Sequence, residues 1–465
     1  MGRLVVVSNR VADLTRSMQS GGLAVGITDA LKNRGGLWFG WNGEISQAGD
    51  DAAPTVVEAG NVSMATIPLT EADYANYYLG FSNSVLWPLF HYRLDLVDFH
   101  SRFLDGYRLV NRRFAQALLP LLRDDDTIWV HDYHLIPLAS ELRRLGCRQR
   151  IGFFLHVPFP PPEILAAAPG HKWLADSLLA YDLVGFQTQT DVSNLARYAE
   201  DHLQMSPPKA GRMTGPAGDL HLDAFPIGID AQAFAQLAAS PSDDVQIDSM
   251  RRETLGRKQI IGVDRLDYSK GLPDRMKAFG RLLELHPDHM KKVTFLQIAP
   301  PTRENVNAYA DIRSELEHLS GSINGQFADF NWTPIRYIHR SVPREILAGL
   351  YRVSRAGLVT PLRDGMNLVA KEFVAAQNPD DPGVLILSKF AGAAEELVEA
   401  LIVNPYDIDA MARAIDNALT MPLEERKERH AALFERVSRR DAIAWQQAFL
   451  NALEQRSSDA RMNVA

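Results

Sequence analysis

Short apolar runs alternate with amphipathic stretches of helical period along almost the whole chain. Apolar runs bounded by turn residues suit buried strands, and the stretches between them suit helices that cover a sheet. The alternation predicts an α/β fold with parallel, doubly wound sheets. In the first half strands are expected at residues 4–7, 127–130, 151–156, 183–186 and 224–227. In the second half they are expected at 259–263, 293–298, 335–338, 357–360 and 384–387. Residues 231–246, rich in Ala, Ser and Asp with one Pro, read as a linker. The expected organisation is therefore a Rossmann-like domain at 1–235, a second at 236–440, a helix at 441–456 and a flexible tail at 457–465. That helix carries Ala442, Ile443, Trp445, Phe449 and Leu453 as a stripe that needs a partner surface. Two doubly wound domains facing each other make a cleft at the carboxyl ends of their strands, where ligands bind.

Arg363-Asp364-Gly365-Met366-Asn367-Leu368-Val369-Ala370-Lys371-Glu372 is the segment richest in chemistry. It follows an apolar run, Pro361 ends any ladder, and Gly365 permits an unusual backbone turn. Residues 368–376 suit a helix, whose first amides lack partners and attract anions, phosphate above all. Asp364 and Glu372 have the wrong charge for phosphate but accept well from sugar hydroxyls. Phosphate donors flanked by hydroxyl acceptors describe a nucleotide-sugar site. The plainer alternative is a solvated loop with ordinary surface acids.

Other segments keep company with this one. Ser8-Asn9-Arg10 follows the first strand immediately, and Gly21-Gly22 could bring backbone amides close to a ligand, although neither a dinucleotide fingerprint nor a Walker loop is present. Arg265 and Lys270 lie after the strand at 259–263, where two cations could clasp a diphosphate; pairing with Asp264 and Asp267 is the competing reading. His131-Asp132-Tyr133-His134 and His156-Val157 follow two further strands. Their spacing does not suit a metal, and His156 could equally be a satisfied core residue. Asp124-Asp125-Asp126 precedes a strand and reads as a solvated turn. Trp38, Trp41, Tyr77, Tyr78, Phe81, Trp87, Phe90 and Tyr92 are sugar platforms or core, which composition does not decide.

At 465 residues the chain is too long for one core, and 46% hydrophobic with 23% charged residues is ordinary for a soluble enzyme. A net charge of −8 argues against nucleic acid as a bulk partner. The single cysteine, Cys147, excludes an internal disulfide and a Cys-based zinc site. The start lacks the apolar region of a signal peptide, and no run approaches the ~20 apolar residues that span a bilayer. A cytoplasmic protein without membrane contact is expected.

Taken in order, these segments resemble the trehalose-6-phosphate synthase family, retaining GT-B glucosyltransferases that join UDP-glucose to glucose 6-phosphate. The resemblance runs from Arg3 to about Leu453, with no departure at the motif positions. It implies two Rossmann-like domains around a cleft, with the C-terminal helix crossing back to the first. On the donor side it implies Gly21 and Gly22 at the diphosphate and glucose, Arg265 and Lys270 as diphosphate clasp, and a backbone contact from Val342 to the uracil. Asp364 and the amides of Gly365, Met366, Asn367, Leu368 and Val369 would hold the donor glucose, and Glu372 the ribose. On the acceptor side it implies Arg10, Tyr78 and Arg303 around the 6-phosphate and Asp132 on the sugar. Trp87 and Val157 would shape the pocket, and His156 would touch the donor glucose. Neither a metal nor another cofactor is implied, and a homo-oligomer, tetramer or dimer, is expected. A sister transferase with another acceptor, such as glucosylglycerol-phosphate synthase, is the alternative. A catalytically silent relative would be expected to lack Arg265, Lys270, Asp364 or Glu372, and all four are present.

Overall fold

Ten strands were expected from the apolar runs; among its described residues the computed structural model contains these, one of them displaced, and five more. It describes residues 2–12, 31, 35–46, 53–216, 218–240, 256–302 and 307–462. The chain divides into two units, Met1–Pro226 with Ile443–Ala465, and Ile227–Ala442.

Among the described residues the first unit has a nine-stranded sheet. Its strands are β1 (Leu4–Arg10), β2 (Gly36–Ser46), β3 (Thr55–Ala59), β4 (Val62–Thr70), β5 (Thr127–His131), β6 (Arg150–Phe154), β7 (Leu183–Phe186), β8 (Arg212–Gly215) and β9 (Gly218–Ala224). They lie in the order β3-β4-β2-β1-β5-β6-β7-β9-β8. The interior pairs are parallel, and antiparallel hairpins β3–β4 and β8–β9 close the two edges. The second unit has β10 (Lys258–Val263), β11 (Val293–Ile298), β12 (Ile335–Ile338), β13 (Ala356–Val359), β14 (Val384–Ser388) and β15 (Leu401–Val403). Their order, β12-β11-β10-β13-β14-β15, is the doubly wound order with every pair parallel. Each sheet reverses direction beside its first strand: between β1 and β5 in one, between β10 and β13 in the other. Such switch points leave a crevice at the carboxyl ends of the strands.

Several boundaries differ from the sequence expectation. The strand expected at 224–227 lies instead at Gly218–Ala224, because Pro226 has no amide to donate to a ladder. The ladder expected over 151–156 ends at Phe154, leaving Leu155 and His156 beyond it. Residues 231–239 form a helix rather than a linker: Asp230 caps it, and Ala231, Phe234 and Ala238 are buried at helical spacing. It packs on the helices Arg344–Val353 and Leu368–Ala376. The units accordingly divide at Pro226/Ile227, ahead of the expected 235/236. Asp126 is not solvated; its buried carboxylate pairs with Arg3 at 2.8 Å.

The last helix, Ala442–Met462, continues through residues 457–462, where a tail was expected. From Ile443 onward it belongs to the first unit. Trp445, Phe449, Leu450 and Leu453 are buried, whereas Ile443 of the expected stripe is exposed. The Phe449 ring stacks on Trp129 at 4.9 Å. It sits directly over Gly152 of β6 and Gly185 of β7, where a Cβ would come within 2.7 Å of its atoms. Glycine at both places lets the helix approach the sheet; any side chain there would push it off.

Candidate active site

In the second unit, the loops after β10 and β13 emerge side by side at the switch point. The first runs through Asp264, Arg265, Leu266 and Asp267 into the short helical turn Tyr268–Lys270. The second runs from Thr360 to Asn367 and enters the helix Leu368–Ala376. Lys270 Nζ reaches across to Asp364 Oδ2 at 2.6 Å, with both side chains mostly buried. Asn367 Nδ2 donates to the same oxygen at 3.0 Å. The unusual turn anticipated at Gly365 falls on Asn367 instead, at φ 80°. Asn tolerates the left-handed region, and its side-chain oxygen caps Ala370 N. The amides of Leu368 and Val369 open the helix ahead of that cap.

The Lys270 backbone and Thr360, at the start of the second loop, are tied together by Arg275, which is fully buried. Its guanidinium donates to Asp264 Oδ2 at 2.8 Å, Thr360 Oγ1 at 3.1 Å, Gln297 Oε1 at 3.2 Å and the Lys270 carbonyl at 3.3 Å. Burial pushes the Asp264 carboxyl above its ordinary range, an effect that Arg275 and Lys270 oppose and Asp364 reinforces. Asp267 is taken by Ser269, through its amide and hydroxyl at 2.9 Å, and by Tyr309. The salt-bridge cluster that competed with a ligand-binding loop is thus rearranged: Asp264 serves Arg275, and Lys270 serves Asp364. Arg265 has an exposed side chain on the same loop.

One turn along the helix, Lys371 is buried and bonds the Ile227 carbonyl at 2.7 Å and Glu396 at 2.6 Å, anchoring the helix inward. Glu372 beside it is partly exposed. Desolvation by its surroundings raises its carboxyl to about 7, against the attraction of Arg344. Val342 lies in the loop before the helix Arg344–Val353 and is partly exposed.

In the first unit, β1 and β5 flank the corresponding switch point. Arg10 ends β1, and its guanidinium lies 5.8 Å from the Trp41 ring. Gly43, at φ 89°, makes room for it, since a Cβ there would sit 2.5 Å from Arg10 Nη2. Asp132 follows β5 at φ 74°, ψ 165°, a conformation nearly confined to glycine. Its amide bonds the Phe154 carbonyl at 2.8 Å, and its carboxylate accepts from His156 N at 3.3 Å. Tyr78 sits in a π-helix, Tyr74–Leu86. Asn83 and Ser84 reach back five residues to carbonyl oxygens of Tyr78 and Leu79 at 2.8 Å, supporting the wider turns. The Tyr78 ring stacks on Tyr74 and His134. Trp87 and Val157 are buried. Of the aromatics that composition left undecided, Trp38, Trp41, Tyr77, Phe81, Trp87 and Phe90 are core; Tyr78 and Tyr92 keep partial exposure.

His156 is held by its ring rather than open at both ends. Nε2 lies 3.0 Å from His131 Nδ1, and burial drives the His156 imidazolium down to about 3. Gly21, Gly22 and Arg303 lie outside the described residues. Among the described residues no group of three or more His, Cys, Asp or Glu side chains is placed to hold a metal ion. No described helix is long and apolar enough to cross a membrane.

The structure therefore gathers Arg265, Lys270, Asp364 to Val369 and Glu372 around one switch point, and Arg10, Tyr78, Asp132, His156 and Val157 around the other. Arg275 is the part that the motif reading missed. It was visible as a charge on the apolar stripe formed by Leu272, Met276, Phe279 and Leu283. His131 and Gln187 as partners of His156 carried no such signal.

These sites can be set beside known proteins. The family model for glycosyltransferase family 20 matches residues 4–455. The trehalose-6-phosphate synthase of Klebsiella pneumoniae is 50% identical over 467 residues, covering 99% of this chain and 98% of its own. A UDP-forming α,α-trehalose-phosphate synthase from Burkholderia xenovorans, solved in complex with glucose 6-phosphate, is 50% identical with a TM-score of 0.92. It covers 97% of this chain and 100% of its own. An E. coli structure bound with UDP-2-fluoro glucose is 49% identical with a TM-score of 0.94, covering 98% and 99%. The chain belongs to glycosyltransferase family 20.

Proposed function

We propose that this chain transfers the glucosyl group of UDP-glucose to glucose 6-phosphate with retention of configuration, giving α,α-trehalose 6-phosphate and UDP. The observation that carries this reading is identity of about half the residues, end to end, with trehalose-6-phosphate synthases. Relatives of that similarity were solved with glucose 6-phosphate and with a UDP-glucose analogue. The switch-point geometry fits the same chemistry. Lys270 and Arg265 bind the diphosphate, helped by the opening amides of the Leu368–Ala376 helix. Asp364 and the backbone from Gly365 to Val369 hold the donor glucose, Glu372 accepts from the ribose hydroxyls, and the Val342 backbone meets the uracil. Gly21 and Gly22 approach the donor, and Arg303 joins Arg10 and Tyr78 on the acceptor phosphate. Asp132 orients the acceptor sugar, Trp87 and Val157 shape its pocket, and His156 bounds the donor glucose.

Transfer then runs on one face of the donor. The bond from the anomeric carbon to the diphosphate oxygen breaks as the bond to the acceptor's anomeric hydroxyl forms. The hydroxyl proton passes to the departing phosphate oxygen. The protein contributes position and charge: Lys270, drawn off Asp364 by the ligand, meets negative charge that grows as the diphosphate leaves. These cations do work that a divalent ion does in other transferases, so turnover should persist in EDTA. The test is release of nucleoside diphosphate from each nucleotide glucose, with glucose 6-phosphate and with glycerol 3-phosphate as acceptors. A non-reducing disaccharide phosphate made fastest from UDP-glucose is expected. Preference for glycerol 3-phosphate would overturn the acceptor assignment, and loss of turnover in EDTA restored by magnesium or manganese would overturn the metal-free transfer.

A further inference from the structure

The His156 ring has two polar atoms, and protein already faces both. Nε2 lies 3.0 Å from His131 Nδ1, and Nδ1 makes a longer contact of 3.5 Å with Gln187 Nε2. His131 is 0% exposed and Gln187 2%, so these partners are fixed parts of the core rather than mobile surface groups. Behind them stands an aromatic wall. Trp129 lies 4.4 Å from the His131 ring, while Trp445, from the C-terminal helix, lies 5.8 Å from His156 and 6.3 Å from His131. A histidine with Nε2 taken by a buried ring and Nδ1 already facing a buried amide is poorly placed to exchange a proton with a sugar. Its remaining use is shape and placement.

We propose that His131 is a positioning residue for the transfer reaction: with Gln187 it locks the His156 ring in one orientation, and Trp445 backs the pair. The proposal rests on the glucosyl-transfer reading above. Two neutral imidazoles meeting nitrogen to nitrogen share one proton, one ring donating and the other accepting. Burial, which lowers both rings' basicity, keeps them in the neutral forms that this arrangement needs. Remove His131 and the His156 nitrogen faces a buried apolar gap, so the ring turns to find another partner. A shift of about 1 Å in a group bounding the reacting sugar is enough to slow transfer strongly.

The test compares His131→Leu, which fills the space without a hydrogen bond, with His131→Asn, whose amide can stand where Nδ1 stood. His131→Leu should lower kcat ~10-fold or more while the KM for each substrate stays within about twofold; His131→Asn should recover most of the loss. Wild-type kcat in the Leu variant, or an Asn variant no better than Leu, overturns the proposal. A second measurement needs no substrate. In protein labelled with 15N in its imidazoles, the wild type should show a proton hydrogen-bonded between the two rings, absent from His131→Leu. If the Leu variant fails to melt cooperatively, the wild-type spectrum decides alone, and a missing inter-ring proton there overturns the pairing. An inactive wild type with the inter-ring proton present would instead overturn the glucosyl-transfer reading, and with it the catalytic consequence drawn for His131.

Discussion

In the second unit the loops at the switch point carry opposed charges at close quarters: Lys270 on Asp364, and Arg275 on Asp264 beneath them. The loops at the first unit's switch point are mostly neutral and aromatic, with Tyr78 stacked on His134 and a hydrogen-bonded pair of uncharged histidines. The same topology thus presents two different solvents to a ligand. A diphosphate leaving group needs charge that is already in place, because cations fixed before the reaction need no reorganisation during it. A sugar acceptor needs shape and a few hydrogen bonds, with charge only where it carries a phosphate; on this side the exposed cation is Arg10 at the end of β1.

The comparison breaks most severely at Arg275. Replacing it by Leu strands the buried Asp264 and should cost about 3–5 kcal/mol, read as a lower urea midpoint. An unchanged midpoint would mean that Asp264 sits there protonated and that the second unit's site is less ionic than described. Lys270→Ala comes next. Loss of a charge-assisted contact of about 1.5–3 kcal/mol should lower kcat/KM for UDP-glucose by ~10-fold to 150-fold, with kcat itself falling. Wild-type kinetics would show Lys270 to be a structural partner of Asp364 only.

The first unit is tested by Arg10→Ala, which should raise the KM for glucose 6-phosphate about tenfold and leave that for UDP-glucose nearly unchanged. An equal effect on both substrates would erase the division between the two loop pairs. The smallest effect is in pH. The Glu372 carboxyl, raised to about 7 by burial, protonates below that value and loses its capacity as a pure acceptor. UDP affinity should therefore weaken several-fold between about pH 8 and pH 6, and Glu372→Gln should flatten that dependence. Stability runs the opposite way for this group. A raised carboxyl favours the folded state at low pH, and the contribution fades as pH rises through 7, so ligand-free Glu372→Gln should gain thermal stability relative to wild type above that value. A wild-type affinity that is flat across this range would place Glu372 away from the ribose.

Most buried strands were legible because a parallel strand covered on both faces is a nearly unbroken apolar run, as in Ala356–Val359 and Leu183–Phe186. The strands missed are mostly of another kind. β3 is exposed along nearly its whole length, β4 alternates buried with half-buried positions, β8 mixes apolar with polar positions at a sheet edge and β15 has only 3 residues; β2, buried over its first half, is the exception. The segment 231–239 misled because Ala-rich composition suits linker and helix alike, and only Phe234 and its neighbours meeting two other helices settle it.

By itself the sequence determined the alternation of strands and helices, the segments that carry Lys270, Asp364 and Glu372, and the family, since each rests on residues adjacent in the chain. Tertiary structure alone decided which charges meet. Lys270 and Asp364 are 94 positions apart, as His131 and His156 are 25 apart. They touch because parallel strands put successive loops at the same end of a sheet, and strand order, which no local pattern encodes, selects which loops become neighbours.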